Sequence, residues 1–146
     1  MKKNFLFKKK RLVTYNQTFS YISETCFPKN ISHLKKILKN EFKNKNFLLR
    51  TGLCGHGDKS SLSKTNFVLS LKMMNKMSRI NRKRNIVTVE AGAMLFDLTI
   101  YLKKNGYFIF NVPGGKNVSL GGAISGNVHG RFSSKKFANF GDNIES

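Results

Sequence analysis

Acidic residues are scarce in this chain: 7 Asp and Glu stand against 27 Lys and Arg in 146 residues, a formal net charge of +20. Such an imbalance ordinarily points to nucleic acid or an anionic membrane. Here, however, the basic residues are scattered in short clusters at 2–3, 8–11, 35–36, 82–84 and 135–136. No single basic helix collects them, and no aromatic–basic alternation suits base stacking. Charge supplies only the sequence-independent part of nucleic-acid binding, so that partner is disfavoured. Cysteine is also scarce. Cys26 and Cys54 give no disulfide framework in a chain of this size, and reduced thiols in a cytoplasmic protein are the simpler reading. No His and Cys spacing matches a zinc site, and Asp58, Asp97 and Asp142 form no metal or acid–base cluster. No stretch approaches the roughly 20 apolar residues of a membrane span. The patch Phe5, Leu6 and Phe7 is too short for a signal-peptide core. The expectation is a chain neither embedded nor exported, with peripheral contact to anionic lipid left open by the basic surface.

What is present suits a folded core. The composition is 40% hydrophobic and 12% aromatic, enough for one domain or two small packed subdomains. Residues 1–11 read as a poorly ordered basic arm. Residues 12–27 read as a strand or extended lead-in, punctuated by Pro28 and Asn30. Ile31, Leu34, Ile37, Leu38 and Phe42 recur at helical spacing, which predicts an amphipathic helix over 31–42 capped by Asn30, with His33 on its surface. Short apolar runs predict strands at 47–50 and 67–71, and Met73, Met74 and Met77 read as adaptable core packing. The clean alternation of residues 86–90 predicts a further strand. Leu95, Leu98 and Leu102 share one face of a helix predicted over 94–104, with Asp97 exposed near its start and Asn105-Gly106 as its C-cap. Phe108, Ile109 and Phe110 then lead to Pro113.

Six of the 12 glycines fall within residues 113–130. Glycine costs backbone entropy, so such a cluster is tolerated mainly where φ is positive or where something approaches the backbone closely. Backbone N–H groups freed of side chains form a concave donor surface for an anion, and a short helix predicted over 120–125 would aim its N-terminus at the same group. A plain glycine-rich surface turn is the alternative. A second glycine-bearing loop follows the strand at 47–50 and runs over 51–59; it has neither the lysine-serine ending of a Walker loop nor Rossmann spacing. Two such loops, each after a strand, suggest a diphosphate held between two backbone cradles, with a dinucleotide lying across the domain.

An ordered series of motifs carries a family resemblance. It comprises Phe27-Pro28 with the helix after it, the loop at 52–62, the strand at 86–90 running into Ala91-Gly92, and Val112-Pro113-Gly114. Gly121-Gly122-Ala123-Ile124, His129-Gly130 and Phe140-Gly141-Asp142 complete it. In this the chain resembles the flavin-binding domain of the vanillyl-alcohol oxidase and p-cresol methylhydroxylase (PCMH) family. It looks most like the decaprenylphosphoryl-ribose oxidase and sugar-lactone oxidase branch. The resemblance covers residues 12–146 and implies an α+β, PCMH-type FAD-binding fold, with the first subdomain and the beginning of the second present.

The resemblance also implies a cofactor and its contacts. Gly52, Leu53, Cys54, Gly55, His56 and Gly57 would form the first phosphate loop. Pro113, Gly114, Ser119, Gly121, Gly122 and Ala123 would form the second, with Asn127, His129 and Gly130 approaching FAD beside it. Cys54 stands where the family often has glycine, Asn127 where it often has aspartate, and Arg131 where the branch has lysine. His56 lies where several carbohydrate oxidases join the flavin covalently, but the branch itself implies non-covalent FAD. His129 reads either as a flavin contact or as a buried histidine satisfied by a main-chain carbonyl. The implied reaction is oxidation of a carbon bearing a hydroxyl, on a sugar, sugar lactone or polyol, with hydride passing to flavin N5. The family's substrate domain and catalytic base lie beyond the position of Ser146. The expectation is therefore a domain truncated at its C-terminus, one not expected to turn over alone: a fragment, a truncated product, or half of a split enzyme whose substrate domain is a separate polypeptide. A non-catalytic flavin- or nucleotide-binding module is the competing class.

Overall fold

The structure is a computed structural model describing residues 7–14, 17–43, 46–50, 67–115, 117–131 and 134–145. The chain divides into two compact units, Met1–Met74 and Asn75–Ser146.

In the first unit, strands β1 (Lys8–Val13) and β2 (Ser20–Cys26) form an antiparallel hairpin with Lys8 opposite Thr25 and Val13 opposite Ser20. Two sequence expectations are corrected here. The passage 12–27 is not one strand: the Thr14 N–H donates to the Phe19 carbonyl at 3.1 Å and Gln17 adopts φ 60°, which folds the chain back on itself. Lys8, Lys9, Lys10 and Arg11 belong to β1, not to a loose arm, and Phe7 packs against Phe42 and Phe67. The physical reason is that β1 is the sheet's outermost strand, where long cationic side chains stay in water while the backbone pairs inward.

Helix α1 (Ile31–Glu41) begins where predicted. The Asn30 side chain accepts from the His33 N–H at 2.8 Å, and His33 Nδ1 in turn accepts from the Lys29 N–H at 3.3 Å. His33 is half-buried by this exchange. The helix buries Ile37 and carries the chain over to β3 (Leu48–Arg50). Strand β4 (Phe67–Ser70) lies between β2 and β3, parallel to both, so the sheet order is β1-β2-β4-β3. A parallel neighbour requires such a crossover. Cys26, Ile37, Phe42 and Leu69 form the core, with the Phe47 ring 4.6 Å from that of Phe42. The strand predicted over 67–71 stops at Ser70, and Leu71–Met73 makes one 3-10 turn. That turn leaves Met73 exposed and Met74 buried.

The second unit packs α2 (Leu95–Lys104), α3 (Leu120–Ser125) and a 3-10 turn at Phe140–Asn143 around Leu95, Leu98, Leu102, Leu120, Ala123 and Phe140. Met77 packs at the edge of this core. Asp97 is exposed in the first turn of α2, where a carboxylate suits the helix dipole. Gly106, at φ 80°, ends α2: its N–H donates to the Lys103 carbonyl at 3.1 Å and the Tyr107 N–H to the Leu102 carbonyl at 2.9 Å, the paired bonds of a Schellman cap.

Residues 86–90 form no strand, contrary to their alternation. Ile86 and Val89 make only isolated antiparallel bridges to Asn81 and Met77, while Val87 and Val89 pack sideways onto the core. Alternation specifies which side chains face inward; a strand also needs a continuous ladder partner. Residues 108–110 likewise stay outside any sheet. The Asn143 amide takes up Phe110 instead, accepting its N–H at 3.2 Å and donating to its carbonyl at 3.0 Å.

Candidate functional site

The second glycine segment is built onto the Ala91-Gly92-Ala93 turn. The Leu95 N–H donates to the Val118 carbonyl at 2.9 Å, and Met94 bridges Ser119. In return, the Leu120 N–H donates to the Ala93 carbonyl and the Gly121 N–H to the Ala91 carbonyl, both at 2.8 Å. Buried Ser119 caps α3 with its hydroxyl oxygen, which accepts from the Gly122 N–H at 3.3 Å, and its carbonyl accepts from the Ala123 N–H at 2.9 Å. Every N–H that the start of α3 could offer to an anion is therefore already engaged within the protein. This corrects the expectation that α3 aims a free N-terminus at a phosphate.

The open donors lie earlier. Among the described residues, no hydrogen bond engages the N–H groups of Gly114 or Gly115. A Cβ built on Gly114 would meet nothing within 4 Å, and its φ is not left-handed. Neither backbone strain nor the protein's own packing requires glycine there. A bare backbone facing open space fits a plain surface turn and the approach of an outside group alike.

Asn127 and Gly130 have different explanations. Asn127, at φ 39°, terminates α3: its N–H donates to the Ile124 carbonyl at 3.0 Å and the Val128 N–H to the Ala123 carbonyl at 3.1 Å. Asparagine tolerates that conformation, so a second Schellman cap accounts for the residue type. Gly130 lies against the backbone of residues 111–112. A Cβ there would sit 2.5 Å from the Val112 carbonyl oxygen and 3.0 Å from the Asn111 carbonyl carbon. His129 is exposed, with Nδ1 3.4 Å from the Gly130 carbonyl oxygen, so the buried-histidine alternative is corrected.

The structure thus gathers Pro113, Gly114, Ser119, Gly121, Gly122, Ala123, Asn127, His129 and Gly130 into one unit, with Gly121 and Ala123 buried and Gly114, Gly122, Asn127 and His129 exposed. Gly52, Leu53, Cys54, Gly55, His56 and Gly57 lie outside the described residues. The strand that precedes them in the chain, β3, ends at Arg50, which is 7% exposed and in register with Ser70. Sequence reasoning passed over Asn111. It is buried at φ 52°; its Oδ1 accepts from the Gly130 N–H and its Nδ2 donates to the carbonyls of Phe137, at 3.2 Å, and Ala138. Its position two residues before Pro113 was the available signal.

The motif Phe140-Gly141-Asp142 also has a local task. Phe140 is fully buried, and the Asp142 carboxylate accepts from the Asn139 N–H at 2.8 Å to close a capping box. On its own, the second unit carries an apolar groove of about 760 Å³ whose walls include Val87, Tyr107, Phe108, Phe110 and Phe137. Among the described residues, none of those read as cofactor-binding lines it.

The family model described as FAD binding domain matches residues 23–146. The L-gulonolactone oxidase of Scyliorhinus torazame is 29% identical over 114 residues, which are 77% of this chain and 26% of that protein. The L-gulonolactone oxidase of Mus musculus is 31% identical over 75 residues, 51% of this chain and 17% of that protein. The chain therefore spans about a quarter or less of the curated relatives it matches. A solved cholesterol oxidase from Brevibacterium sterolicum shares the fold, with a TM-score of 0.75 at 18% identity over 89% of this chain and 26% of that one. Glycine segments, caps and fold all meet in one conclusion: this chain belongs to the PCMH-type FAD-binding domain family.

Proposed function

We propose that this chain supplies the flavin-holding part of an oxidoreductase that oxidises a carbon bearing a hydroxyl, on a sugar, sugar lactone or polyol. The observation that carries the reading is the family match over residues 23–146, joined to the bare backbone at Gly114 that the protein's own packing does not explain. The similarity to L-gulonolactone oxidases supports the substrate class. When bound, FAD supplies the N5 position that accepts hydride from the carbon being oxidised. The N–H groups of Gly114 and Gly115 would hold a pyrophosphate oxygen. Pro113, Ser119, Gly121, Gly122 and Ala123 would fix that loop from behind, with His129 and Gly130 beside the cofactor and Asn127 ending the supporting helix. Gly52, Leu53, Cys54, Gly55, His56 and Gly57 would form the other phosphate loop. The net charge of +20 favours an anionic cofactor at long range.

The FAD-binding domain in this proposal extends from the family-matched residues back to β1, because β1 completes the sheet begun by β2. The base that takes the substrate's hydroxyl proton would come from a substrate domain outside these 146 residues, in the same or a separate polypeptide. FAD would be held non-covalently, in a cytoplasmic protein whose Cys26 stays a buried thiol. No described helix is long and apolar enough to cross a membrane.

Titration of the purified chain with FAD, followed by quenching of flavin fluorescence, tests the reading. Saturable quenching is expected, and flavin should remain in solution after acid precipitation. Flavin that precipitates with the protein would overturn the non-covalent assignment and implicate His56. Salt-sensitive nucleic-acid binding with no flavin uptake would overturn the whole reading.

A further inference from the structure

The two stretches assigned to the cofactor in the second unit, 113–115 and 129–130, are about fifteen residues apart in the chain and must be set against each other by something. We infer that Asn111 is that positioning residue, a role that rests on the FAD reading above.

An amide is the neutral side chain that offers both an acceptor and a two-proton donor in one plane. Asn111 uses all of it. Its oxygen takes the Gly130 N–H, and its nitrogen reaches the carbonyls of Phe137 and Ala138. The residue is only 5% exposed, and a buried amide needs such partners within the protein. Its φ of 52° suits asparagine better than any other side-chain-bearing residue. One residue earlier, the Asn143 amide holds both backbone groups of Phe110, and the Phe110 ring stacks on Phe137 at 4.4 Å with 4° between the planes. The glycine segment thus departs from a point fixed by two amides. Gly130 is pressed onto the same point, where a Cβ would collide with the Val112 carbonyl. His129, exposed and immediately before Gly130, is therefore presented at a set position relative to Gly114. Asn111 need not touch the cofactor to do this.

The test compares Asn111→Gly, which keeps the positive φ but removes the amide, with Asn111→Asp, which keeps the acceptor oxygen and loses both donor bonds. Leu102→Ala, a core truncation in the same unit, is the control for general loosening. Three quantities are measured on the whole chain: FAD affinity by fluorescence quenching, hydrogen exchange at the Gly130 amide without FAD, and the melting temperature. Asn111→Gly is expected to weaken FAD about ten-fold and to speed Gly130 exchange about ten-fold, the effect of losing hydrogen bonds of ordinary strength. Asn111→Asp sets a buried acceptor-only carboxylate against the Phe137 and Ala138 carbonyl oxygens and is expected to show at least as large a loss in the same direction. Leu102→Ala is expected to melt at least as low while keeping FAD affinity within about two-fold, measured well below its melt. Equal FAD affinity for Asn111→Gly and the parent chain overturns the role, as does a loss of affinity in Leu102→Ala that tracks its melting. A parent chain that takes up no FAD overturns the proposed function and this role with it, an outcome distinct from the other two.

Discussion

Two glycine-to-alanine changes, at Gly130 and Gly114, should have opposite effects on stability, and the structure sets the scale of each. An added methyl at Gly130 would lie 2.5 Å from the Val112 carbonyl oxygen, about 0.9 Å inside the 3.4 Å where ordinary contact begins. The obstacle is backbone, and it cannot rotate away. Relief requires Gly130 to lift from residues 111–112, which breaks the bond from its N–H to Asn111 Oδ1. Overpacking of this kind costs about 1–3 kcal/mol and the lost hydrogen bond about 1 kcal/mol more, so Gly130→Ala should destabilise by roughly 2–4 kcal/mol. At Gly114 a methyl meets nothing within 4 Å and φ is ordinary. Gly114→Ala should therefore leave the chain unchanged or stabilise it by about 0.4–1 kcal/mol through the unfolded state. Urea unfolding followed by far-ultraviolet circular dichroism measures both without a ligand, and FAD titration then separates them further. Gly114→Ala is expected to weaken FAD despite its intact stability, because the methyl would occupy the space in front of the bare backbone. A Gly130→Ala chain within about 0.5 kcal/mol of the parent would refute the close backbone approach. A Gly114→Ala chain binding FAD as tightly as the parent would refute the cradle.

Other perturbations test the scaffold. Phe140→Ala empties a fully buried ring site in the second core and should cost about 3–5 kcal/mol in urea unfolding. Asn30→Ala removes the acceptor for the His33 N–H and should cost about 1 kcal/mol, visible as faster amide exchange in the first turn of α1. Burial pushes the Cys26 thiol above its ordinary value of 9.0, outweighing a backbone hydrogen bond at Phe27 that lowers it, with Glu41 adding to the rise. Its contribution to stability is therefore complete below about pH 9 and is lost as pH rises from there through the folded-state value, since the unfolded chain gives up its proton first. The stability difference between the parent and Cys26→Ala should shrink over that interval, and a difference independent of pH would contradict the burial effect.

Helices were legible in the residues and strands less so, for a reason visible in particular elements. α1 and α2 are determined by what lies within a few positions: Asn30 at one end, Gly106 at the other, and leucines or isoleucines recurring on one face. A strand depends on a partner that may lie anywhere in the chain. Ile86-Val87-Thr88-Val89-Glu90 has the alternation of a strand, but its backbone hydrogen bonds to Lys76, Ser78 and Asn81 amount to two isolated bridges and no continuous ladder, so it remains irregular. Lys8 to Arg11 has no such pattern and is a strand, because β2 offers it a complete antiparallel register. Local composition could not reveal either partner.

The site divides along the same line. A cluster of glycines reads as one signal in sequence, yet its members answer to separate physical demands: Gly130 to a backbone contact with Val112, and Gly126 to the close of α3 with the Gly122 carbonyl 3.3 Å from its would-be Cβ. Ser119, which the resemblance places in the second phosphate loop, accepts with its hydroxyl oxygen from the Gly122 N–H as a helix cap. At Gly114 a would-be Cβ meets nothing within 4 Å, whereas at Gly115 it would lie 3.2 Å from Val118 Cγ2, so the cradle proposed above rests first on Gly114. The residue that holds that backbone in place, Asn111, is not a glycine and lies outside the cluster. Its role could not be read without knowing that Gly130 and residues 137–138 fold back onto it.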